Sequence, residues 1–366
     1  MFQYGTDILD SKSRFLTPVL LFTLARLVML LLGVESSHRG LEYLLYPSWG
    51  SNAFYDALIA ATGYSSGTIT YWTIMPAFPS LVRLILTASF GFGAVGVTEL
   101  FRFAWLVAVI ISWIMATAAI PIFQSVAEKR MSRIEAMNLT LLMFFFPEVF
   151  VFSSLGFSSA LFLLLELVAW VLLTKREYGG WLIAACLFCL TELCGFAMSI
   201  MLVTELFRSR MSKKIIYSLA PTIIFLMWLV YVEVETGNWM NVLGPGPYLL
   251  GYFSALLGFT RFSIASGEVY FDPVISSSVL CFLMVVGLLA FRSCRVNRVM
   301  GSYAISMVIA CAVLVPVGSV ARLLSLIFPV WLNLRIRSIA LTVALLSFFF
   351  LMSLLLWNGV ITGYLG

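Results

Sequence analysis

Charge is what this 366-residue sequence has least of: Asp, Glu, Lys and Arg make up 11% of it, where an ordinary soluble domain carries about 25%. Period-2 alternation of apolar and polar residues is missing from the long apolar runs, which excludes a membrane β-barrel. A small-residue cleavage site is missing after the first apolar run, which continues to Val34 behind the polar stretch Met1–Arg14, so a retained span is expected there and not a removed signal peptide. The six cysteines lie in or beside apolar runs, and the Cys186/Cys189 pair has neither a second pair nor a nearby His. Buried thiols are expected, with no metal site and no cofactor. An internal repeat with paired broken helices is absent, which argues against a secondary transporter, and a repeated filter-like polar stretch is absent, which argues against a channel.

What is present is apolar surface. Hydrophobic residues make up 62% of the chain and the mean hydropathy is +1.04, more than any soluble core could hide. A hydrocarbon slab roughly 30 Å thick takes about 20 apolar residues per helix, and in lipid only helices or closed barrels satisfy every backbone group. The expected fold is therefore an all-α polytopic membrane protein in one domain, 1–366, with about ten or eleven transmembrane helices. Spans are predicted at 15–34, 101–122, 137–154, 158–174, 181–191, 195–207, 215–234, 275–291, 301–317, 323–334 and 338–357. Several are too short to cross alone, and those around 191–195 and 321–334 are expected to meet at a turn inside the protein.

Basic residues give the orientation. Lys12 and Arg14, the Lys129/Arg130/Arg133 group, Lys175 and Arg176, the 208–214 group, the 292–298 group, and Arg335 with Arg337 fall in alternate connections and hold 16 of the 22 Lys and Arg. The positive-inside rule makes that face, and the N-terminus, cytoplasmic. The net charge of +5 then reports topology, and no nucleic-acid partner is expected. The opposite face carries two long connections, 35–100 and 235–274, rich in aromatic residues, Gly and Pro and holding Glu35, Glu42, Asp56, Glu99, Glu235, Glu268 and Asp272. Any chemistry belongs there. Within the first, 51–62 reads as an amphipathic helix lying on the membrane, and 78–86 as a second one begun by Pro79.

Four segments carry a resemblance. They are Asn52-Ala53-Phe54-Tyr55-Asp56-Ala57 running to Gly63-Tyr64 and on through Met75-Pro76-Ala77-Phe78-Pro79 to Arg83; Phe146-Pro147 through Ser153-Ser154 to Ser158-Ser159-Ala160-Leu161-Phe162; Thr191-Glu192-Leu193-Cys194-Gly195; and Val320-Ala321-Arg322 to Phe328-Pro329. In this order they resemble the PIG-V family, the mannosyltransferases that add the second mannose to GPI anchors, and its prokaryotic relatives. The resemblance covers residues 49–330. It implies a GT-C-like membrane bundle, a polyprenyl-phosphate sugar donor like dolichyl-phosphate-mannose, a glycolipid or glycan acceptor, and inverting transfer on the non-cytoplasmic face of a prokaryotic plasma membrane or the endoplasmic reticulum. Such chemistry wants a carboxylate base for the acceptor hydroxyl and fixed positive charge for the leaving phosphate.

The chain departs from the family pattern where that chemistry would sit. Asn52 stands at the family's loop aspartate, Ser159 at the Glu of its Tyr-Ser-Glu motif and Glu192 at the Arg of its Thr-Arg turn, while Arg322 and Arg26 keep the family's basic character. Two readings follow. In one, Asp56, four residues after Asn52 and on the same helix face, serves as base, with Arg322 and Arg83 on phosphate and Glu192, Ser159 and Arg26 completing the substrate site. In the other, the chain is a catalytically silent GT-C relative, a lipid-binding scaffold or partner subunit of a membrane complex.

Other polar residues have blander expectations. A charge at bilayer depth costs about 2.5–3.5 kcal/mol, so Glu192 must be paired, protonated or, the favoured reading, facing a wet cavity, and Glu166, in mid-span, should pair with Arg26 or be protonated. His38, beside Arg39 and with only Glu42 within a helical turn, reads as a surface residue. The sequon at Asn138-Leu139-Thr140 falls at the cytoplasmic end of a span and should be unmodified. The 31 Phe and 10 Trp read as packing and interface anchors.

Overall fold

A computed structural model describes residues 3–36, 52–64, 72–90, 96–209, 216–243, 261–264, 267–270, 273–315 and 317–361. The helices are α1 (Gln3–Ser36), α2 (Asn52–Thr62), α3 (Ala77–Phe90), α4 (Val97–Glu128), α5 (Arg133–Phe145), α6 (Pro147–Phe152), α7 (Ser159–Thr174), α8 (Tyr178–Cys189), α9 (Met198–Arg208), α10 (Leu219–Thr236), α11 (Pro273–Val296), α12 (Arg298–Leu314), α13 (Val317–Leu326), α14 (Phe328–Trp331) and α15 (Ile339–Ile361). The second long connection adds a small antiparallel hairpin, β1 (Arg261–Ile264) with β2 (Gly267–Tyr270), in the register Arg261↔Tyr270 to Ile264↔Gly267. It leaves the all-α membrane architecture intact.

Among the described residues, five helices are long and apolar enough to cross a membrane, in stretches at Phe15–Leu32, Val97–Glu128, Ile216–Thr236, Val279–Val296 and Ile339–Trp357. Their outer faces are apolar: Leu16, Leu20, Leu24, Leu27 and Leu31 form an exposed stripe down α1. An exposed apolar stripe of this length would aggregate in water, and in a bilayer it is simply the lipid-facing side. The other expected spans are shorter or broken. Pro147 has no N–H to continue a helix, so 137–154 divides at Phe146 into α5 and α6. The 195–207 stretch opens as a 3-10 turn, Leu193–Ala197, before α9, and 323–334 breaks at Ile327 ahead of Phe328-Pro329.

These breaks lie inside protein, where irregular backbone can be satisfied. The Trp331 indole N–H donates to the Ser325 carbonyl at 2.7 Å, and the Ser293 hydroxyl to the Pro329 carbonyl at 3.2 Å. Phe22 wedges the core from α1, edge-on to Phe144, Phe145 and Phe150 at centroid distances of 5.5–6.0 Å.

At the other end of the bundle, Ser132 and Glu135 form a reciprocal cap on α5, and Glu135 also accepts from Arg337 Nε at 2.7 Å. The Arg337 bond first, then the Ser132 donors, lower the Glu135 carboxyl to about 2. The pair puts two of the basic connections at the same end, as the charge pattern requires. Asn138 is buried beside it and donates to the Ile336 carbonyl at 3.2 Å, so it presents no accessible amide.

Candidate functional site

Helix α2 departs from the surface helix expected of 51–62. Ala53, Asp56, Ala57 and Ala60 recur at i, i+3, i+4 and i+7 and are all buried, joined by Phe54 and Ile59. Small alanines let α2 pack closely on α3 and α4, which carries Asp56 into the protein. The helix ends at Gly63, whose φ of +83° suits a left-handed C-terminal stop. A methyl group there would come within 2.8 Å of the Arg83 guanidinium. Arg83 thus lies against the end of α2.

Three chain breaks converge on Asp56. Ser158 and Ser159 stand where the turn after α6 enters α7. Glu192 stands in the turn between α8 and the 3-10 segment, and Arg322 on α13. Arg322 donates through Nη1 to the Ser159 hydroxyl at 3.0 Å and pairs through Nη2 with Glu192 at 3.2 Å. The Ser158 hydroxyl donates to the same Glu192 oxygen at 2.8 Å. Phe152 and Phe157 flank the guanidinium at 5.8 and 5.7 Å. The Glu192 turn is fixed by Gly195, where a Cβ would lie 2.5 Å from Cys189 Cα and 2.6 Å from the Phe188 carbonyl, so only hydrogen fits. The Ala77 amide, donating to the Leu190 carbonyl at 2.8 Å, ties this turn to the start of α3.

Asp56 is 1% exposed, and among the described residues neither carboxylate oxygen has a hydrogen-bond partner. Burial pushes its carboxyl well above the ordinary value; the negative charge of Glu192 adds to this, while Arg322 and the Ser158 amide pull the other way. That amide is close enough to favour the ionised form yet falls short of hydrogen-bond geometry. Two carboxylates therefore share one guanidinium, a balance that favours one proton, or an added positive charge, in the site. Beside it stands an aromatic cluster that the sequence did not signal: Tyr64 stacks on Trp72 at 5.4 Å and meets Trp228 at 5.1 Å, and Tyr231 closes on Trp228 at 5.4 Å. The Tyr64 hydroxyl donates to the Ile74 carbonyl at 2.8 Å and feels the charge of Asp56.

Of the expected site residues, Asp56, Glu192, Ser159 and Arg322 come together. Asn52 begins α2, and its side chain lies outside the described residues, as does His38. Arg26 does not join the cluster. It donates to the Ser153 carbonyl and hydroxyl at 2.9 and 2.7 Å and to the Trp113 carbonyl at 3.3 Å, at the opposite end of the 153–158 turn. Nor does it pair with Glu166, whose nearest polar neighbours are Tyr303 and the Phe328 backbone, neither in hydrogen-bond geometry. That expected pair fails because the Arg26 Nη atoms turn to acceptors at Trp113 on α4 and at Ser153, just after α6, instead of to Glu166 on α7. Ser158 was not expected in the site; its one signal is the doubled serine at the entry to α7. The six cysteines are free thiols.

No protein-family model matches the chain, and neither a curated protein nor a solved structure does.

Proposed function

We propose that this membrane protein transfers a sugar from a polyprenyl-phosphate donor to a hydroxyl of a glycolipid or glycan on the non-cytoplasmic face, with Asp56 as base and Arg322 on the donor phosphate. The observation that carries the reading is Asp56: a buried carboxylate with no hydrogen-bond partner, close to a buried guanidinium. Leaving such a group unsatisfied costs folding energy, and unpaired titratable groups of this kind concentrate at sites of chemistry. A base whose affinity for protons is raised by burial is better matched to an alcohol than an ordinary carboxylate is. Arg322 offers planar, fixed positive charge to a leaving phosphate, and the convergence of all four motif segments on one place supports a shared task for them.

The scaffold reading keeps one observation in its favour: Glu192 already occupies Arg322, so a phosphate must displace a carboxylate to reach it. One experiment separates the two. Membranes containing the Asp56→Asn protein, expressed at parental level, should have lost transfer from a polyprenyl-phosphate-linked sugar at least a hundredfold. Unchanged transfer removes Asp56 from the chemistry. Parental protein with no transfer, co-purifying with a second membrane protein, would favour the scaffold.

A further inference from the structure

On the lipid-facing flank, away from Asp56, a groove of about 570 Å³ runs between α1 and α4, within the roughly 300–1,000 Å³ of small-molecule sites. On α1 it is lined by Val19, Thr23 and Arg26, at i, i+4 and i+7, and on α4 by Trp113, Thr117 and Pro121, at i, i+4 and i+8. Both lie in stretches apolar enough to cross a bilayer, and Ile114 and Leu24 beside the groove are 63% and 59% exposed. Its mouth therefore opens on the side that the apolar stretches turn to hydrocarbon, where the molecules at hand are lipids.

Arg26 makes the groove more than a crevice. The side chain is 1% exposed, and its hydrogen bonds go only to neutral acceptors on Trp113 and Ser153. Among the described residues its Nε has no partner, and the Phe22 ring lies against Cζ at 3.9 Å. Among the described residues no carboxylate pairs with it. A guanidinium held in low dielectric without a counter-charge is costly, and because Arg26 lines the groove, an anion lodged there would lie beside it. Arg26 stands six residues before Leu32, roughly 9 Å from the outer end of the apolar stretch at 1.5 Å per residue, within reach of a headgroup drawn down between the helices.

We propose that this groove binds an anionic glycerophospholipid of the surrounding bilayer, its phosphate on Arg26 and one acyl chain along α1 and α4. The site is independent of sugar transfer. It also fixes the near end of the 153–158 turn, because Arg26 holds Ser153 while Arg322 holds Ser159 at the far end.

The test uses the full chain in detergent micelles doped with phosphatidylglycerol or phosphatidylcholine, reading lipid retained on the protein and the thermal midpoint. Phosphatidylglycerol should bind at least tenfold more tightly than phosphatidylcholine and raise the midpoint by several degrees. Arg26→Gln and, separately, Ala118→Trp should abolish that preference. Ala118 is exposed beside the groove, so tryptophan there blocks it without entering the core, and this arm survives if the Arg26 variant fails to fold. Equal binding of both lipids overturns the proposal, as does a preference that persists in Ala118→Trp. Displacement of phosphatidylglycerol by an equimolar polyprenyl phosphate, lost in the same variants, also overturns it and gives the groove to the sugar donor.

Discussion

Replacing Arg322 by methionine probes the pair on which the site is built. The Nη2–Oε1 separation is 3.2 Å, with the Arg322 side chain 3% exposed and that of Glu192 13%. At that distance and an effective dielectric of about 20, the attraction is roughly 5 kcal/mol before desolvation is charged against it. Arg322→Met alone leaves Glu192 held by one hydroxyl, that of Ser158, and Asp56 without its cation. Breaking a buried pair from one side in this way costs about 3–5 kcal/mol. Removing both charges restores the balance, since an apolar or neutral replacement of a buried pair is often near neutral. The double variant Arg322→Met/Glu192→Gln should therefore lie within about 1–2 kcal/mol of the parent and be more stable than Arg322→Met alone, the shortfall from the sum of the two single costs being the coupling. Reversible denaturant unfolding of the four proteins in mixed micelles, followed by tryptophan fluorescence, measures it. Additive effects, with the double variant at least as unstable as Arg322→Met, would refute the claim that these groups compensate one another.

Two further expectations follow from other parts of the molecule. Because the Glu135 carboxyl is lowered to about 2, its bond to Arg337 contributes stability that is complete above the unfolded value near 4.5 and is lost as pH falls from there towards 2; thermal midpoints across that window should fall less steeply for Arg337→Gln than for the parent, and parallel curves would sink the assignment. Gly195→Ala forces a methyl group to 2.5 Å from Cys189 Cα and should cost about 1–3 kcal/mol as overpacking, whereas Gly179→Ala, with nothing within 4 Å, should be neutral or stabilising; equal midpoints for the two variants would show that the turn can yield.

Much of this protein is legible in one dimension because the bilayer imposes a one-dimensional rule. A backbone in hydrocarbon must bond to itself, so an apolar run of sufficient length is a helix wherever it packs, and the alternation of basic connections orders its ends. Prolines act just as locally, Pro147 and Pro329 breaking helices through their own missing N–H; the turn within 321–334 was expected, whereas the span read over 137–154 ran through Pro147 without a break. Asp56 was singled out by its place four residues after Asn52, but its helix was read as lying on the membrane surface, and the small residues at 53, 57 and 60 that carry it into the protein went unread.

What tertiary structure alone decided is which polar groups meet. Ser159 and Arg322 are 163 residues apart in the chain, and nothing in the periodicity of either segment says that one will bond to the other. Arg26 and Glu166 carry complementary charges at bilayer depth and read as partners, yet packing turns the first towards Ser153 and Trp113 and the second towards Tyr303. The physical reason is that burial creates a demand for a partner without naming one: a buried charge accepts whichever donor or acceptor the surrounding helices bring within 3 Å, and that is a property of how the helices pack.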